Sequence, residues 1–228
     1  MVGTRKRREV VRKVGSVARS RYGNLRRRKV RPALDQLVLS LLCRYTSPSR
    51  ATRALRQLKR AFVDWNEVRV SSAAEVAVAV STTDWAVVCA ERAKEILTSI
   101  FKLCNEVALT CLAELTPPQA RTFLQSLDGM ERDLADEVLL FSCNVELLPV
   151  GESAARVCYR LGLIRSDRAT MDSQKRLMSF WDPALYPNLA LFFLSHAESV
   201  CKRDGPNCDS CSLRGVCPRT GVEEPEKK

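Results

Sequence analysis

The sequence predicts an all-α protein, and three observations carry that expectation. Only 9 of the 228 residues are glycine. No stretch alternates apolar and polar residues between turn pairs, as a half-buried strand would. After residue 31, apolar residues instead recur every three or four positions along most of the chain, which collects them on one side of a helix.

Leu34 to Cys43 (LDQLVLSLLC) is apolar nearly all round, as a central buried helix would be. Over residues 50–62, Ala51, Ala54, Leu55, Leu58 and Phe62 share a face, and Arg53, Arg56 and Lys59 turn away from it. Helices are expected next at 73–80 and 86–104, the second bringing Ile96, Leu97, Ile100 and Leu103 together. Thr116 followed by Pro117 is a cap and a first-turn proline, opening a helix over 117–126. Further helices are expected at 132–143, 152–161, 171–181 and 187–200. There is no internal repeat, and the terminal EEPEKK is expected to fray. A chain of this length suits one large domain or two small ones. No apolar run reaches the roughly eighteen residues of a membrane span.

The net charge of +11 is unevenly placed. Residues 1–31 hold thirteen Arg and Lys, including RKRR at 5–8 and Arg26, Arg27, Arg28 and Lys29, against the single acid Glu9. The remaining 32–228 carry 24 basic and 25 acidic residues and are nearly neutral. A basic arm of this density is expected to contact phosphates in a salt-dependent way. An organellar transit peptide or a solubilising tail are the competing readings.

Ten cysteines without a signal peptide point to a reducing cytoplasm. Cys43, Cys89, Cys104, Cys111, Cys143 and Cys158 lie singly in apolar stretches, where an inert buried thiol is the default. Cys201, Cys208, Cys211 and Cys217 differ, forming a C-x6-C-x2-C-x5-C frame within seventeen residues. Four thiolates are the ligand set of tetrahedral zinc or of a [4Fe-4S] cluster, and a pair of disulfides is a third possibility. The six-residue first gap exceeds the roughly two to four residues common in zinc modules.

That frame resembles the cluster loop of the endonuclease III branch of the helix-hairpin-helix DNA glycosylases. LDGMERDLADEVLLF, from Leu127, is similar to the family's L-P-G-V-G-R-K-T-A hairpin, and PVGESAARVCYRLGL, from Pro149, to its P-V-D-T-H-x-x-R-V-x-x-R-L-G. LVLSLLCRYTSPSRATRALRQLKRAFVDW resembles the L-S-Q-N-T-S-D stretch and its next helix, and Leu194-Ser195-His196 resembles the R-H-G lead-in to the cluster. The likeness spans roughly residues 34–217.

The resemblance implies a [4Fe-4S] cluster on the four cysteines and two helical domains. One would run over 34–145 and end in the hairpin; the other would join 146–228 to the N-terminal segment, with 1–31 as the basic arm. It also implies the chemistry to look for, in which a base is flipped out and its glycosidic bond broken. In bifunctional members a lysine after the hairpin attacks the sugar, assisted by an aspartate at the start of the following helix. Here the lysine position is Asp133 and the aspartate position is Gly151. An acid forms no Schiff base, and glycine has no side chain. Glu152, one position on, is turned by about 100° on a helix.

The binding positions depart as well. Gly129 of the hairpin glycine pair remains, but the second is Glu131. Between Leu127 and Glu137 five acids (Asp128, Glu131, Asp133, Asp136, Glu137) face the one base Arg132, so phosphate is expected to be repelled unless a cation intervenes. The glutamine that fills the gap left by a flipped base corresponds to Arg44, and a nearby aspartate to Pro48. Lys202 and Arg203, between the first two ligands, stand where the family contacts phosphate. His196, the only histidine, and Trp65, Trp85 and Trp181 are expected to serve packing.

These departures predict a DNA-binding pseudo-glycosylase, related to base excision repair and nucleoid-associated, that recognises damaged or deformed duplex without excising a base. Two other classes stand beside it. An active glycosylase would use Asp133 or Glu152 and release bases from damaged duplex. A scaffold protein would dock a basic partner on the acidic hairpin and bind DNA weakly even at low salt. Loss of DNA affinity on deleting residues 1–31 separates the binding protein from the scaffold.

Overall fold

The computed structural model describes residues 3–23, 25, 30–80 and 85–222, and every regular element among them is helical. The chain divides into two compact units, one of Met1–Arg28 with Glu146–Lys228 and one of Lys29–Val145. None of the described helices is long and apolar enough to cross a membrane.

Helix α1 (Thr4–Tyr22) occupies most of the segment expected to be a basic arm. Its Val10, Val14 and Ala18 recur every four residues and are 0% exposed. They pack against α11 (Tyr186–Ser199). Gly15 permits the close approach, since a Cβ there would lie 3.1 Å from Leu185 Cδ2 and 3.4 Å from Trp181 Cδ1. The contact is completed by Trp181 Nε1–H donating to Val11 O at 3.0 Å and Tyr22 O–H to Leu191 O at 3.1 Å. Each fully buried valine contributes about 1.5–3 kcal/mol before the entropy of ordering is counted. The density of arginine hides this apolar stripe from inspection of composition. Arg26, Arg27, Arg28 and Lys29 lie outside the described residues.

The Lys29–Val145 unit is built around α2 (Ala33–Leu42), whose Leu37 and Leu41 are fully buried, as its all-round apolarity requires. Helix α3 (Pro48–Ala61), the short α4 (Trp65–Val70), α5 (Ala73–Val80) and α6 (Trp85–Cys104) follow. A 3-10 turn, Thr110–Ala113, leads to α7 (Pro117–Gln125), which opens with the expected Thr116 capping box. Helix α8 (Arg132–Ser142) packs on both α2 and α7. Asp35, 8% exposed, accepts from Lys59 Nζ at 2.5 Å and from Trp65 Nε1 at 3.0 Å, which fixes α4 to the core. Six residues are too few for α4 to show a helical period in sequence.

In the other unit α9 (Glu152–Arg160) and α10 (Met171–Met178) precede α11. Phe192 and Phe193 of α11, both essentially unexposed, meet edge to face at 5.7 Å. Helix α11 ends at the cysteine loop, and α9 packs alongside it.

Candidate functional site

Two clusters of polar side chains stand out, one in each unit. In the Lys29–Val145 unit, α7 and α8 are joined by a tight turn, closed by Met130 N–H donating to Leu127 O at 3.1 Å. Gly129 takes φ +76, and a Cβ there would fall 2.7 Å from Glu95 Oε2, so the turn requires glycine. The turn is pinned to α6 by Asp128 N–H donating to Ser99 Oγ at 2.9 Å and Arg92 Nη2 to Gly129 O at 3.1 Å.

The acids that follow the turn are matched by arginines from elsewhere. Arg44, at the end of α2, directs Nη2 to Asp133 Oδ2 at 2.9 Å, Nε to Glu131 Oε2 at 3.3 Å and Nη1 to Glu137 Oε1 at 3.4 Å. Arg92 Nη1 reaches the other Glu131 oxygen at 2.9 Å. Arg121 Nε and Nη2 meet the two oxygens of buried Asp136 at 2.8 Å each, a fork that ties α7 to α8. Counted with Arg132, four arginines stand among the five acids, so the segment's apparent charge of −4 falls to one formal negative charge.

Protonation follows from this packing. Burial opposes the charge on Arg44, but Glu137, Asp133 and Glu131 outweigh it and hold the guanidinium more firmly protonated than usual. Burial likewise opposes charge on Glu131, yet Arg44 and Arg92 bring its carboxyl below the usual range. At Glu137 burial dominates over Arg44 and a hydrogen bond from Ser40, and the carboxyl is pushed up.

In the other unit Cys201, Cys208, Cys211 and Cys217 line one small pocket, open in part to solvent. All ten cysteines are free thiols, so the disulfide alternative does not hold in this structure. Backbone N–H groups of Leu213 and Arg219 donate to the sulfurs of Cys211 and Cys217, each at 3.4 Å and each two positions on in the chain. Burial raises both thiols, and these donors partly offset it.

Arg160 of α9 donates from Nη1 to Lys202 O at 2.6 Å and from Nη2 to Arg203 O at 2.9 Å, and lies 3.5 Å from Cys201 Sγ. Arg156 Nε reaches Cys201 O at 3.3 Å. His196 is 3% exposed and stacks on Phe192 at 5.0 Å, with Nε2 3.6 Å from Cys211 Sγ. Burial, with help from Arg21, lowers its pKa to about 4 and keeps the imidazole neutral. Among the described residues no three His, Cys, Asp or Glu side chains converge as a single-ion site. Four sulfurs lining one pocket, with N–H donors aimed at two of them, are a donor set that fits a thiolate-bound metal centre.

No protein-family model matches the chain. Protein ROS1C of Oryza sativa subsp. japonica is 23% identical over 176 residues, covering 70% of this chain and 10% of the relative. DNA glycosylase/AP lyase ROS1 of Arabidopsis thaliana is 22% identical, covering 68% of this chain and 12% of the relative. Endonuclease III of Sulfolobus acidocaldarius is 28% identical over 104 residues, 46% of this chain and 47% of the relative. The chain thus spans about a tenth of the plant relatives and about half of this endonuclease III. A trapped endonuclease III–DNA covalent intermediate matches with TM-score 0.71 and 17% identity, covering 96% of this chain and 97% of that one. A thermostable thymine-DNA glycosylase matches with TM-score 0.66 and 14% identity, covering 94% and 96%.

The chain has the endonuclease III-like helix-hairpin-helix fold and is similar in sequence to members of that glycosylase family.

Within this endonuclease III-like scaffold, the positions singled out by sequence fall into separate groups. Asp133 sits in the first turn of α8, half-buried and paired with Arg44. Gly151 is the N-cap of α9 and offers only backbone. Glu152, the first residue of α9, is 81% exposed at its side chain and pairs with Arg203 Nη2 at 3.3 Å. Asp133 and Glu152 belong to different units. Arg44, at the position that corresponds to the gap-filling glutamine, is 15% exposed and enclosed by three carboxylates. Arg132 is half-buried at the start of α8, while Lys202 is exposed on the cysteine loop. Sequence reasoning missed Arg92, Arg121, Arg156 and Arg160. Their partners lie 15 to 45 positions away, and nothing local marks them apart from solvated helix arginines.

Proposed function

We propose that the chain is a DNA-binding member of the glycosylase family that lacks base-excision and strand-cleaving chemistry. It recognises duplex that is damaged or deformed and carries a [4Fe-4S] cluster on Cys201, Cys208, Cys211 and Cys217. The observation that carries this reading is the state of Asp133. The position expected to supply an amine nucleophile holds a carboxylate, and that carboxylate is committed to Arg44 at 2.9 Å. A general base must reach the proton it removes, and an ion-paired, half-buried acid is poorly placed for it.

The helix-start position offers no replacement, because Gly151 has no side chain and Glu152 faces Arg203 in solvent. This disfavours an active glycosylase using Asp133 or Glu152. A scaffold docking a basic partner on the hairpin acids is disfavoured because Arg44, Arg92 and Arg121 already match them. The bound cluster would order the loop by tying its four cysteine positions together. Arg160 holds the carbonyls of Lys202 and Arg203 at one end of that loop, and the exposed Lys202 side chain is available to phosphate. DNA as the partner is supported by the folds matched, two of which are endonuclease III–DNA complexes.

Incubation with abasic duplex and borohydride tests the proposal. The expected outcome is salt-sensitive binding with no covalent adduct and no strand scission. A trapped amine adduct, or base release from oxidised-pyrimidine, mismatched-adenine or uracil duplex, overturns it.

A further inference from the structure

The charged side of α1 is organised in a way that composition alone does not reveal. Arg5, Arg8, Arg12 and Arg19 are all exposed, and at 3.6 residues per turn they fall within a sector of about 60°. They extend over about 21 Å of helix axis, a length along which one strand of duplex carries about six phosphates. Among the described residues none of the four is ion-paired with a carboxylate. Beside Arg12 and Arg19 the small residues Gly15, Ser16 and Ser20 leave a shallow groove, walled by Trp181 and Leu185. The serine hydroxyls add hydrogen-bond donors to the two guanidinium groups.

We propose that this stripe and groove dock the phosphate backbone of nucleic acid, as a contact separate from the cysteine loop and the hairpin. The proposal rests on the DNA-binding reading above and names where on the unit that contact lies. A basic amphipathic helix also suits an anionic membrane or a helix-binding protein, but both take up its apolar face. Here that face is spent, with Val10, Val14 and Ala18 at 0% exposure against α11. The side of α1 left open presents arginines and hydroxyls beside the Trp181 and Leu185 wall, so the partner is a polyanion recognised without base contacts. Binding through α1 is therefore independent of sequence and of lesion, and is set by salt.

The test is the salt dependence of binding of the full chain to an undamaged duplex, with and without Arg12→Gln/Arg19→Gln. Each lost phosphate contact removes about 0.9 from the slope of log affinity against log salt, so the double variant is expected to be shallower by about 2. Thermal melting checks that the variant is folded; Arg5→Gln/Arg8→Gln, outside the groove, repeats the measurement should the first variant melt early. Phosphatidylserine vesicles are expected not to bind. An unchanged slope in both folded variants overturns the α1 assignment while leaving DNA binding itself standing. Vesicle binding lost in the same variants also overturns it, in favour of a lipid surface. Failure of the parent chain to bind any duplex at low salt removes the functional reading, and this inference with it.

Discussion

At the scale of single residues, Arg160 does the most with one side chain. It is 8% exposed, its guanidinium holds the carbonyls of Lys202 and Arg203, and its own carbonyl accepts from Thr220 N–H at 3.1 Å and from Cys217 Sγ at 3.4 Å. Both ends of the cysteine loop are thereby tied to one position of α9. Arg160→Ala strands two carbonyls, each costing about 1–3 kcal/mol, and a loss of about 3 kcal/mol in urea unfolding is expected. Arg160→Lys keeps the charge but not the planar fork and should recover only a minor part. Faster proteolysis within residues 202–216 is the companion readout, and parent-like behaviour of Arg160→Ala in both would show the loop is held by other contacts. That the four cysteines would share one pocket was legible in the sequence because residue type and tight spacing mark them out. Arg160 was not, because its importance depends on a loop more than forty positions later folding back onto α9.

At the scale of elements, the hairpin shows why local charge misleads. The acids between Leu127 and Glu137 implied repulsion of phosphate, yet Arg44, just past α2 and 87 positions before Glu131, and Arg92 and Arg121 neutralise most of it. The helices themselves were nearly all legible, since their apolar periods are strong. The exceptions were α1, masked by its arginines, and α4, shorter than two turns. The ion network has a pH consequence of definite sign. Glu131 is depressed in the folded state, so its contribution is fully present above the unfolded value of about 4.3 and is lost as pH falls through the lower folded value. Glu137, raised by burial, acts in the opposite sense, its contribution being lost as pH rises. Glu131→Gln should therefore be less stable than the parent near neutrality, with the gap closing below about pH 4. Urea midpoints from pH 3 to 7 check this, and parallel profiles would mean that Arg44 and Arg92 do not stabilise the Glu131 carboxylate.

At the scale of the whole molecule, charge and core are interleaved in the same N-terminal segment, and this alters what a truncation can report. Deleting a free basic arm would remove charge alone. Deleting residues 1–22 removes α1 together with Val10, Val14 and Ala18, and leaves the facing side of α11 uncovered. Two buried valines at about 1.5–3 kcal/mol each place the loss near 4 kcal/mol. For a chain of this size about 2–4 °C accompanies each kcal/mol, so the melting midpoint should fall by about 8–16 °C. Loss of DNA affinity in such a truncation would then mix unfolding with loss of phosphate contacts. Arginine-to-glutamine substitutions on the exposed stripe leave the apolar contact intact and should melt within about 2 °C of the parent, since exposed positions away from special contacts change stability little. Calorimetry of the truncated and substituted chains distinguishes the two situations. A truncation that melts with the parent would mean that α1 is not docked on α11, and the apolar face it was held to have spent would again be open to a partner.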